Sequence, residues 1–192
     1  MSLEYKIVNV VATCDLGVRI NLANYARTNV ASVQYNPDVF RAAITRLKDP
    51  SSTILVFHTG RLVITGAKTC DTARSQADRM KRLLKIRKAP MSFKVQNIVT
   101  TASCHKSINL VALYAQIVTH AQDKIKSVTY EVEIFSGLQI KLNQGCIIVF
   151  SSGKIIVTGF TSRSLINECY DEISSFLTQY GSSFIRASSI GI

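Results

Sequence analysis

The strongest constraint on this chain is an internal repeat. Residues 53–66, TILVFHTGRLVITG, return as residues 146–159, CIIVFSSGKIIVTG. A shorter echo, YNPDVF at residues 35–40 and YEVEIF at residues 130–135, lies at nearly the same spacing. A tandem repeat of this length predicts two similar lobes, residues 1–92 and residues 93–192, related by a pseudo-twofold axis.

The charge of the chain is strongly basic and unevenly distributed. Its 192 residues include 23 Lys and Arg against 12 Asp and Glu, for a net charge of +11. Residues 1–92 hold 15 of these bases and 6 of these acids, so the first lobe carries most of the field. A balance of this kind favours an anionic partner.

Other totals exclude several classes of protein. The five cysteines show neither a disulfide framework nor zinc-ligand spacing, and the three histidines are isolated from possible catalytic or metal-binding neighbours. No long apolar run and no signal-peptide layout is present. We therefore expect a soluble intracellular protein that is not an enzyme and needs no cofactor or metal.

Each repeat reads as a strand, one or two short helices, a group of strands and a long helix, which is an α+β pattern. A strand is predicted over residues 6–13, Asn21 is suited to cap a short helix, and Asn36-Pro37-Asp38 predicts the start of another. Long helices are predicted over about residues 71–86 and 162–180. Their apolar stripes are Ala73, Ala77, Met80 and Leu84 in the first, and Leu165, Cys169, Ile173, Phe176 and Tyr180 in the second.

The strands are apolar on both faces, which is unusual for a sheet that helices cover on one side. In residues 53–58, for example, both alternating sets of side chains are mostly apolar. One set must face the helices, so the other forms a second apolar surface trimmed with Asn and Thr. Such a surface implies a partner or a third layer.

Two hairpin registers are compatible with the repeated strand pair. A two-residue turn would pair Phe57 with Leu62, whereas a three-residue loop over residues 59–61 would pair Phe57 with Val63. We favour the longer loop because it places Thr65 on the same face as Phe57 and removes it from the helix-packed side.

The repeated motifs resemble the core of the TATA-box-binding protein family. They are the strand Val95-Gln96-Asn97-Ile98-Val99, the F-x-x-G-[RK] turns at Phe57 and Phe150, and TGAK at residues 65–68, and the resemblance runs from about residue 7 to residue 183. It implies a saddle, in which a curved antiparallel sheet of ten strands carries four helices on its convex side. The concave side would sit in the minor groove of A·T-rich promoter DNA.

The resemblance also assigns roles to side chains of the second apolar surface. An apolar carpet can lie on an A·T floor but would bury the guanine amino group without a partner, so selectivity comes mainly from exclusion. The carpet would be Val11, Leu55, Val63, Val99, Ile148 and Ile156. The polar residues beside it would be Asn9, Thr13, Thr65, Asn97, Thr101 and Thr158.

Deformation and positioning of the DNA would fall to aromatic and basic residues. Two phenylalanine pairs, Phe40 with Phe57 and Phe135 with Phe150, match those that the family wedges into base steps to kink the duplex. The residues that match backbone-binding positions of the family are Arg46, Arg61, Lys68, Lys141 and Lys154.

Protein partners are implied at two further places. Glu131, Glu133 and Ile134 keep the pattern with which the family grips transcription factor IIB. The basic helix face, Arg74, Arg79 and Arg82, corresponds to the surface used for transcription factor IIA and for negative regulators. The resemblance further implies TATA-box-binding-protein-associated factors, a homodimer through the concave sheet, a nuclear location, no membrane partner, and a role in nucleating the preinitiation complex.

Some residues depart from the family pattern. Asp38-Val39 stands where two basic residues are usual, Ser136 replaces a proline, and Phe160-Thr161 replaces Ala-Lys. These departures suggest a divergent lineage or a related factor with altered promoter choice.

Three interpretations outside DNA binding stay open from the residues alone. The second apolar face could line the cavity of a helix-grip lipid carrier, or it could belong to an assembly scaffold that binds no DNA. At the level of single residues, the strand phenylalanines could be core, the two strand asparagines could cap sheet edges, and the charged clusters could be ordinary solvated surface.

Overall fold

The computed structural model describes residues 3–86, 91–120 and 124–185. Over these residues the chain forms ten β-strands, four α-helices and a short 3-10 helix at Gly181–Ser183. The strands are β1 (Tyr5–Asp15), β2 (Val33–Gln34), β3 (Ala42–Lys48), β4 (Ser51–Phe57), β5 (Arg61–Ala67), β6 (Ser92–Ser103), β7 (Ile125–Thr129), β8 (Leu138–Leu142), β9 (Cys146–Val149) and β10 (Lys154–Phe160). The helices are α1 (Leu22–Thr28), α2 (Cys70–Leu83), α3 (Leu110–His120) and α4 (Arg163–Tyr180).

All ten strands belong to one sheet with the order β2-β3-β4-β5-β1-β6-β10-β9-β8-β7. Its hairpin neighbours pair antiparallel within each repeat. Helix α2 packs on β5, and α4 packs on β10. The α+β class, with a ten-stranded antiparallel sheet and four helices, is confirmed.

By packing, the chain divides into two compact units that begin inside strands. One unit is Ile7–Ile98, and the other combines the residues before Ile7 with those from Val99 onward. In the second unit, the Tyr5 ring stacks on Tyr170 with centroids 4.7 Å apart, and its hydroxyl donates to Asn167 Oδ1 at 2.6 Å. The repeat division at residue 92 stays a prediction about the plan of the sequence.

The helices start at side-chain caps. Asn21 Oδ1 accepts a hydrogen bond from Asn24 N at 3.0 Å, as predicted, and Thr69 Oγ1 accepts one from Thr72 N at 3.0 Å. In α2, Ala73, Ala77 and Met80 are fully buried, so the predicted stripe of this helix faces the core.

The apolar stripe predicted for α4 does not coincide with the residues that this helix buries. The buried residues of this helix are Ile166, Cys169, Tyr170 and Leu177, whereas Leu165 and Phe176 are only half-buried. The difference arises from Tyr170, whose hydroxyl pairs with Thr100 Oγ1 at 3.0 Å inside the fold. A tyrosine with a buried partner packs as an apolar residue, which the spacing of aliphatic residues does not reveal.

The segment Asn36-Pro37-Asp38 forms a turn and not the predicted helix. Asn36 does act as a cap, because its side chain accepts from Asp38 N at 3.1 Å and its carbonyl from Phe40 N at 2.9 Å. The chain then enters β3 at Ala42, so the helical geometry ends after one turn.

The β4–β5 hairpin has a three-residue loop, but neither predicted pairing of Phe57 is right. Leu55 lies opposite Val63 and Val56 opposite Leu62, so Phe57 faces Arg61 across the loop of residues 58–60. Gly60, with φ of +90°, is the last loop residue, and its N–H donates to Phe57 O at 3.0 Å. Gly60, the left-handed residue, directly follows the tight turn and ends the loop. Strand β5 therefore begins at Arg61, and Phe57 lies opposite this residue instead of Leu62 or Val63.

Candidate nucleic-acid interface

Side chains along the central strands alternate between buried and half-buried. The buried set faces the helices, because Thr45 of β3 shares a 2.9 Å hydrogen bond with the Tyr25 hydroxyl of α1 and Thr100 of β6 pairs with Tyr170 of α4. The other set lies on the opposite face of the sheet, which these helices leave uncovered. The second apolar surface predicted from the sequence is therefore present on the sheet.

The residues predicted for the apolar carpet, the polar residues predicted beside it and the two strand phenylalanines all belong to the half-buried set. This holds for Asn9, Val11, Thr13, Leu55, Phe57, Val63, Thr65 and Asn97 in one unit, and for Val99, Thr101, Ile148, Phe150, Ile156 and Thr158 in the other. Leu55 lies opposite Val63, and Ile148 lies opposite Ile156. Each unit thus presents a compact apolar area bordered by hydroxyl and amide groups, and its role in DNA binding stays a prediction.

A β-bulge holds the side chain of Asn9. Ala12 pairs with Ile64 and Val10 with Ala67, so β5 has one residue more than β1 at this point. Gly66, with φ of +87°, donates its N–H to Asn9 Oδ1 at 2.7 Å, and the hydroxyl of Thr65 also points to this oxygen at 3.4 Å. Because Oδ1 accepts these bonds, the Asn9 amide presents its donor nitrogen, which matches the acceptors of an A·T minor groove.

The four predicted phenylalanines form two edge-to-face pairs. Phe40 and Phe57 have ring centroids 6.4 Å apart with an interplanar angle of 69°, and Phe135 and Phe150 are 5.8 Å apart at 67°. Phe40 is 42% exposed and Phe135 is 36% exposed. Phe57 and Phe150 are half-buried, so each pair has one exposed ring, which is suited to insert into an apolar or stacking environment.

Both ring pairs rest on the same backbone scaffold. Phe40 and Phe135, the outer phenylalanines, follow turns of the same geometry, whereas Phe57 and Phe150, the inner ones, lie at the strand ends. Phe40 N donates to Asn36 O at 2.9 Å, and Phe135 N donates to Glu131 O at 2.8 Å. Beneath the second pair, a Cβ on Gly137 would lie 2.7 Å from a Phe135 ring carbon. The absence of a side chain at Gly137 therefore makes room for the rings.

The predicted phosphate-binding residues are all exposed: Arg46, Arg61, Lys68, Lys141 and Lys154. Arg61 and Lys154 are the first residues of β5 and β10, immediately after the loops that follow the inner phenylalanines. Arg46 Nη1 donates to Gln34 Oε1 at 2.6 Å, which orients its guanidinium group along the sheet edge.

The two sets of residues predicted to bind protein partners differ in their contacts with the rest of the chain. Glu131, Glu133 and Ile134 are exposed at the second turn, with Ile134 at 80%. On α2, by contrast, Arg79 Nη1 donates to Asp49 O at 2.6 Å, and the Arg74 guanidinium carbon lies 5.0 Å from the centre of the Phe93 ring.

Arg82 is exposed and completes the basic face of α2. That face is thus partly engaged with its own chain, because two of its three predicted arginines contact neighbouring residues.

Sequence reasoning missed residues of the half-buried face on β3 and β8, because these two segments were not assigned as strands. Ile44 lies opposite Leu55, and Gln139 lies opposite Ile148. Thr53 and Cys146 extend the same face at the far ends of β4 and β9. The position of Arg46, two residues after Ile44, could have revealed the first, because residues two apart share a strand face.

Two buried cysteines have pKa values above the ordinary value of a thiol. Burial raises the pKa of Cys14 to about 11, and burial followed by the nearby Glu172 carboxylate raises the pKa of Cys169 to about 12. These thiols stay protonated at neutral pH.

Among the described residues, no cluster of His, Cys, Asp and Glu is positioned to hold a metal ion. In the same residues, no helix combines the length and apolarity that crossing a membrane requires.

The chain matches the family described as "Transcription factor TFIID (or TATA-binding protein, TBP)" over residues 4–86 and 92–180. It is 36% identical over 178 residues to the TATA-box-binding protein-like 1 of Entamoeba histolytica, covering 90% of this chain and 79% of that protein. It is 35% identical to the TATA-box-binding protein of Tetrahymena thermophila, with 91% and 70% covered. It spans 50% of the length of the TATA box-binding protein-like 2 of Rattus norvegicus.

Among solved structures, the fold is similar to that of the TBP of Methanococcus jannaschii. The TM-score is 0.76 at 28% sequence identity, and the match covers 92% of this chain and 99% of that one. The fold of a helix-grip carrier is therefore excluded. With both repeats matched by the family and a similar fold in a solved relative, this chain belongs to the TATA-binding protein family, whose members are non-enzymatic transcription initiation factors that bind DNA.

Proposed function

We propose that this protein binds the minor groove of A·T-rich promoter DNA, kinks it by phenylalanine insertion and nucleates assembly of the preinitiation complex. The observation that carries the proposal is the uncovered sheet face, on which an apolar area and an edge-to-face phenylalanine pair occur in each repeat. Partial unstacking of a base step costs a few kcal/mol, which the larger contact with bent DNA offsets.

The direct test compares bending and affinity in single variants. Phe57→Ala and Phe150→Ala should each weaken binding to an A·T-rich duplex about tenfold or more, because the wedge that stabilises the bent state is lost. A circular-permutation gel shift should show reduced bending. Val118→Ala is the matched control, since Val118 is 50% exposed on α3, on the helix side of the sheet.

Two results would refute the proposal. One is a wild-type complex whose mobility is independent of the position of the site in the fragment. The other is equal affinity for A·T-rich and G·C-rich duplexes, because a guanine amino group buried under Leu55 or Ile156 would have no acceptor.

A second candidate is a related factor of the same family with altered promoter choice. Asp38 and Val39 favour it, because they occupy the exposed tip next to Phe40, where an acidic group repels phosphate, and Val39 is 80% exposed. Selection of binding sites from random DNA separates the two candidates. Enrichment of TATA-like sequences supports the first, and enrichment of another sequence supports the second.

The partner surfaces follow from the same family assignment and are proposed in the same sense. Glu131, Glu133 and Ile134 would bind transcription factor IIB, and Arg74, Arg79 and Arg82 would bind transcription factor IIA or negative regulators. The uncovered sheet face would support a homodimer when no DNA is bound, since large apolar patches favour association. We place this activity in the nucleus, where transcription factors of this kind generally act.

A further inference from the structure

The second repeat contains a cavity of about 440 Å³ on the helix side of its sheet. It lies between α3, α4 and the strands β8, β9 and β10, away from the proposed DNA-binding face. Its walls are mainly aliphatic and aromatic: Ile108, Leu113, Ile117, Ile140, Ile147 and Leu177 are among them. A volume of this size lies within the range of about 300 to 1,000 Å³ that small-molecule sites occupy.

The first repeat shows why the second one has this space. Counting from the matching helix caps Asn21 and Asn109, Tyr25 of the first repeat corresponds to Leu113 of the second. The Tyr25 ring fills the interior of its repeat, with its hydroxyl 2.9 Å from Thr45 Oγ1 and 4.0 Å from Met80 Sδ. A leucine at this place is shorter and carries no ring, so the corresponding volume in the second repeat stays open.

Two neighbouring replacements act in the same direction. Gln76, whose Nε2 donates to Pro50 O at 2.9 Å, corresponds to the smaller Cys169. Thr45, the partner of the Tyr25 hydroxyl, corresponds to Ile140, which offers no hydrogen bond. The bonded pair Tyr25 and Thr45, and the buried Gln76, are thus replaced in the second repeat by Leu113, Ile140 and Cys169, which line the cavity.

The mouth of the cavity carries one ion pair. Lys124 Nζ donates to Glu172 Oε1, and the two side chains are 72% and 51% exposed. Exposed pairs of this kind contribute little to stability, so this one is weakly held. Glu168 also acts on Lys124, which means that carboxylates already balance the positive charge of the lysine.

We propose that this cavity binds one small apolar molecule with an uncharged, hydrogen-bonding head group, of the class of medium-chain aliphatic alcohols. The apolar body would contact Leu113, Ile140 and Leu177, and the head group would reach the ion pair of Lys124 and Glu172. Dry cavities lined by Leu, Ile and Phe accept apolar ligands. A carboxylate head group is disfavoured because Glu172 lines this end of the cavity and already pairs with Lys124.

The experiment uses 1-octanol as the probe on the full chain, with sodium octanoate as the matched anion. Octanol should raise the melting temperature in a saturable manner and shift the methyl resonances of Leu113 and Ile140 with one-to-one stoichiometry. The variant Leu113→Tyr with Ile140→Thr transplants the pair that fills the first repeat. It should lose at least tenfold in octanol affinity while melting no lower than wild type.

Two further variants keep the test decisive. Leu113→Phe fills the cavity without a new hydroxyl, in case the double variant does not fold. Val111→Tyr adds a ring to α3 at a residue that is 67% exposed, and it should bind octanol as wild type does. The inference is overturned if octanol binds without saturation, if the filled variants bind it unchanged, or if octanoate binds as tightly as octanol. Because DNA binding is not part of the readout, failure here is independent of the proposed function.

Discussion

The two repeats agree on their sheet surfaces and differ in their interiors and charge. Both have an edge-to-face phenylalanine pair, with centroids 6.4 and 5.8 Å apart, above the same three-residue hairpin loop. Inside, a hydrogen-bonded Tyr25 centre in the first repeat contrasts with an open cavity of about 440 Å³ in the second. Two copies of a duplicated fold can keep similar binding surfaces while their cores are packed by different side chains.

The charge difference has a local origin as well as a global one. Residues 1–92 hold 15 Lys and Arg against 6 Asp and Glu, and α2 has two basic residues, Lys81 and Arg82, in its last turn. Helix α4, in the corresponding place, has no basic residue in its last turn. At the end of the final strand of each hairpin, exposed Lys68 corresponds to Thr161. The first repeat therefore presents the stronger field to an anionic partner.

The largest expected effect tests the shared hairpin loop. Gly60 has φ of +90° and Gly153 has φ of +82°, and an added Cβ would lie 2.1 Å from Val18 O and 2.2 Å from Lys106 O, respectively. Gly60→Ala and Gly153→Ala should each lower the free energy of unfolding by about 3 kcal/mol or more, from backbone strain plus a clash with a carbonyl oxygen. Urea unfolding measures both.

The matched control for this prediction is Gly66→Ala. Gly66 has a similar φ of +87°, but its added Cβ would be 3.5 Å from the nearest heavy atom. Only the left-handed strain remains, at about 1 to 2 kcal/mol. Equal losses in all three variants would show that the close approach to Val18 and Lys106 is unimportant.

A smaller effect separates the two interiors. Tyr25→Phe should cost about 1 to 3 kcal/mol in the free energy of unfolding, because the fully buried Thr45 hydroxyl loses the group with which it pairs. Tyr170→Phe should cost less, about 1 kcal/mol, because Thr100 Oγ1 keeps its bond to Val157 O at 3.3 Å. The reverse order would break the view that the first repeat has the more polar interior.

Alkaline unfolding provides a second readout of the Tyr170 variant. Burial raises the pKa of Tyr170 from 10.0 to about 12, so the native state holds its proton more tightly than the unfolded state does. The stability from this group is complete below pH 10 and falls as the pH rises toward 12. Tyr170→Phe removes this part of the loss, and its stability should decline less steeply between pH 10 and 12 than that of wild type.

The sequence was informative about strand faces because alternation requires only parity. Leu55, Phe57, Val63 and Thr65 share one face in the structure as they do in the predicted register. The exact pairing of Phe57 could not be read, since it depends on which loop residue adopts the left-handed conformation, and only Gly60 does so.

Other features of the site depend on contacts between distant residues. The bulge at Gly66, which fixes Asn9 Oδ1, requires one extra residue on β5 that no local pattern marks. The buried side of α4 was misjudged because Tyr170 packs inward on Thr100. The cavity near Leu113 is a difference between two cores, so it becomes visible only when both repeats are compared in three dimensions.

The smallest expected effect concerns the two turns that present the outer phenylalanines. Asp38 and Glu133 occupy corresponding places in these turns, and the residues after them, Val39 and Ile134, are both 80% exposed. If the two turns approach the DNA backbone equivalently in the absence of protein partners, Asp38→Asn and Glu133→Gln should each raise affinity about threefold at low salt. One unit charge several ångströms from a phosphate in water has an effect of this size, and the gain should fade as salt screens it.

Fluorescence titration of a labelled A·T-rich duplex at several salt concentrations measures these gains. Asp71→Asn is the control, because it changes the net charge equally but lies in the first turn of α2, on the helix side of the sheet. A gain for Asp38→Asn alone would mean that the turns are equivalent in backbone geometry but not in their approach to DNA. The two repeats would then be alike in fold and in their phenylalanine pairs, while they would contact the duplex backbone differently.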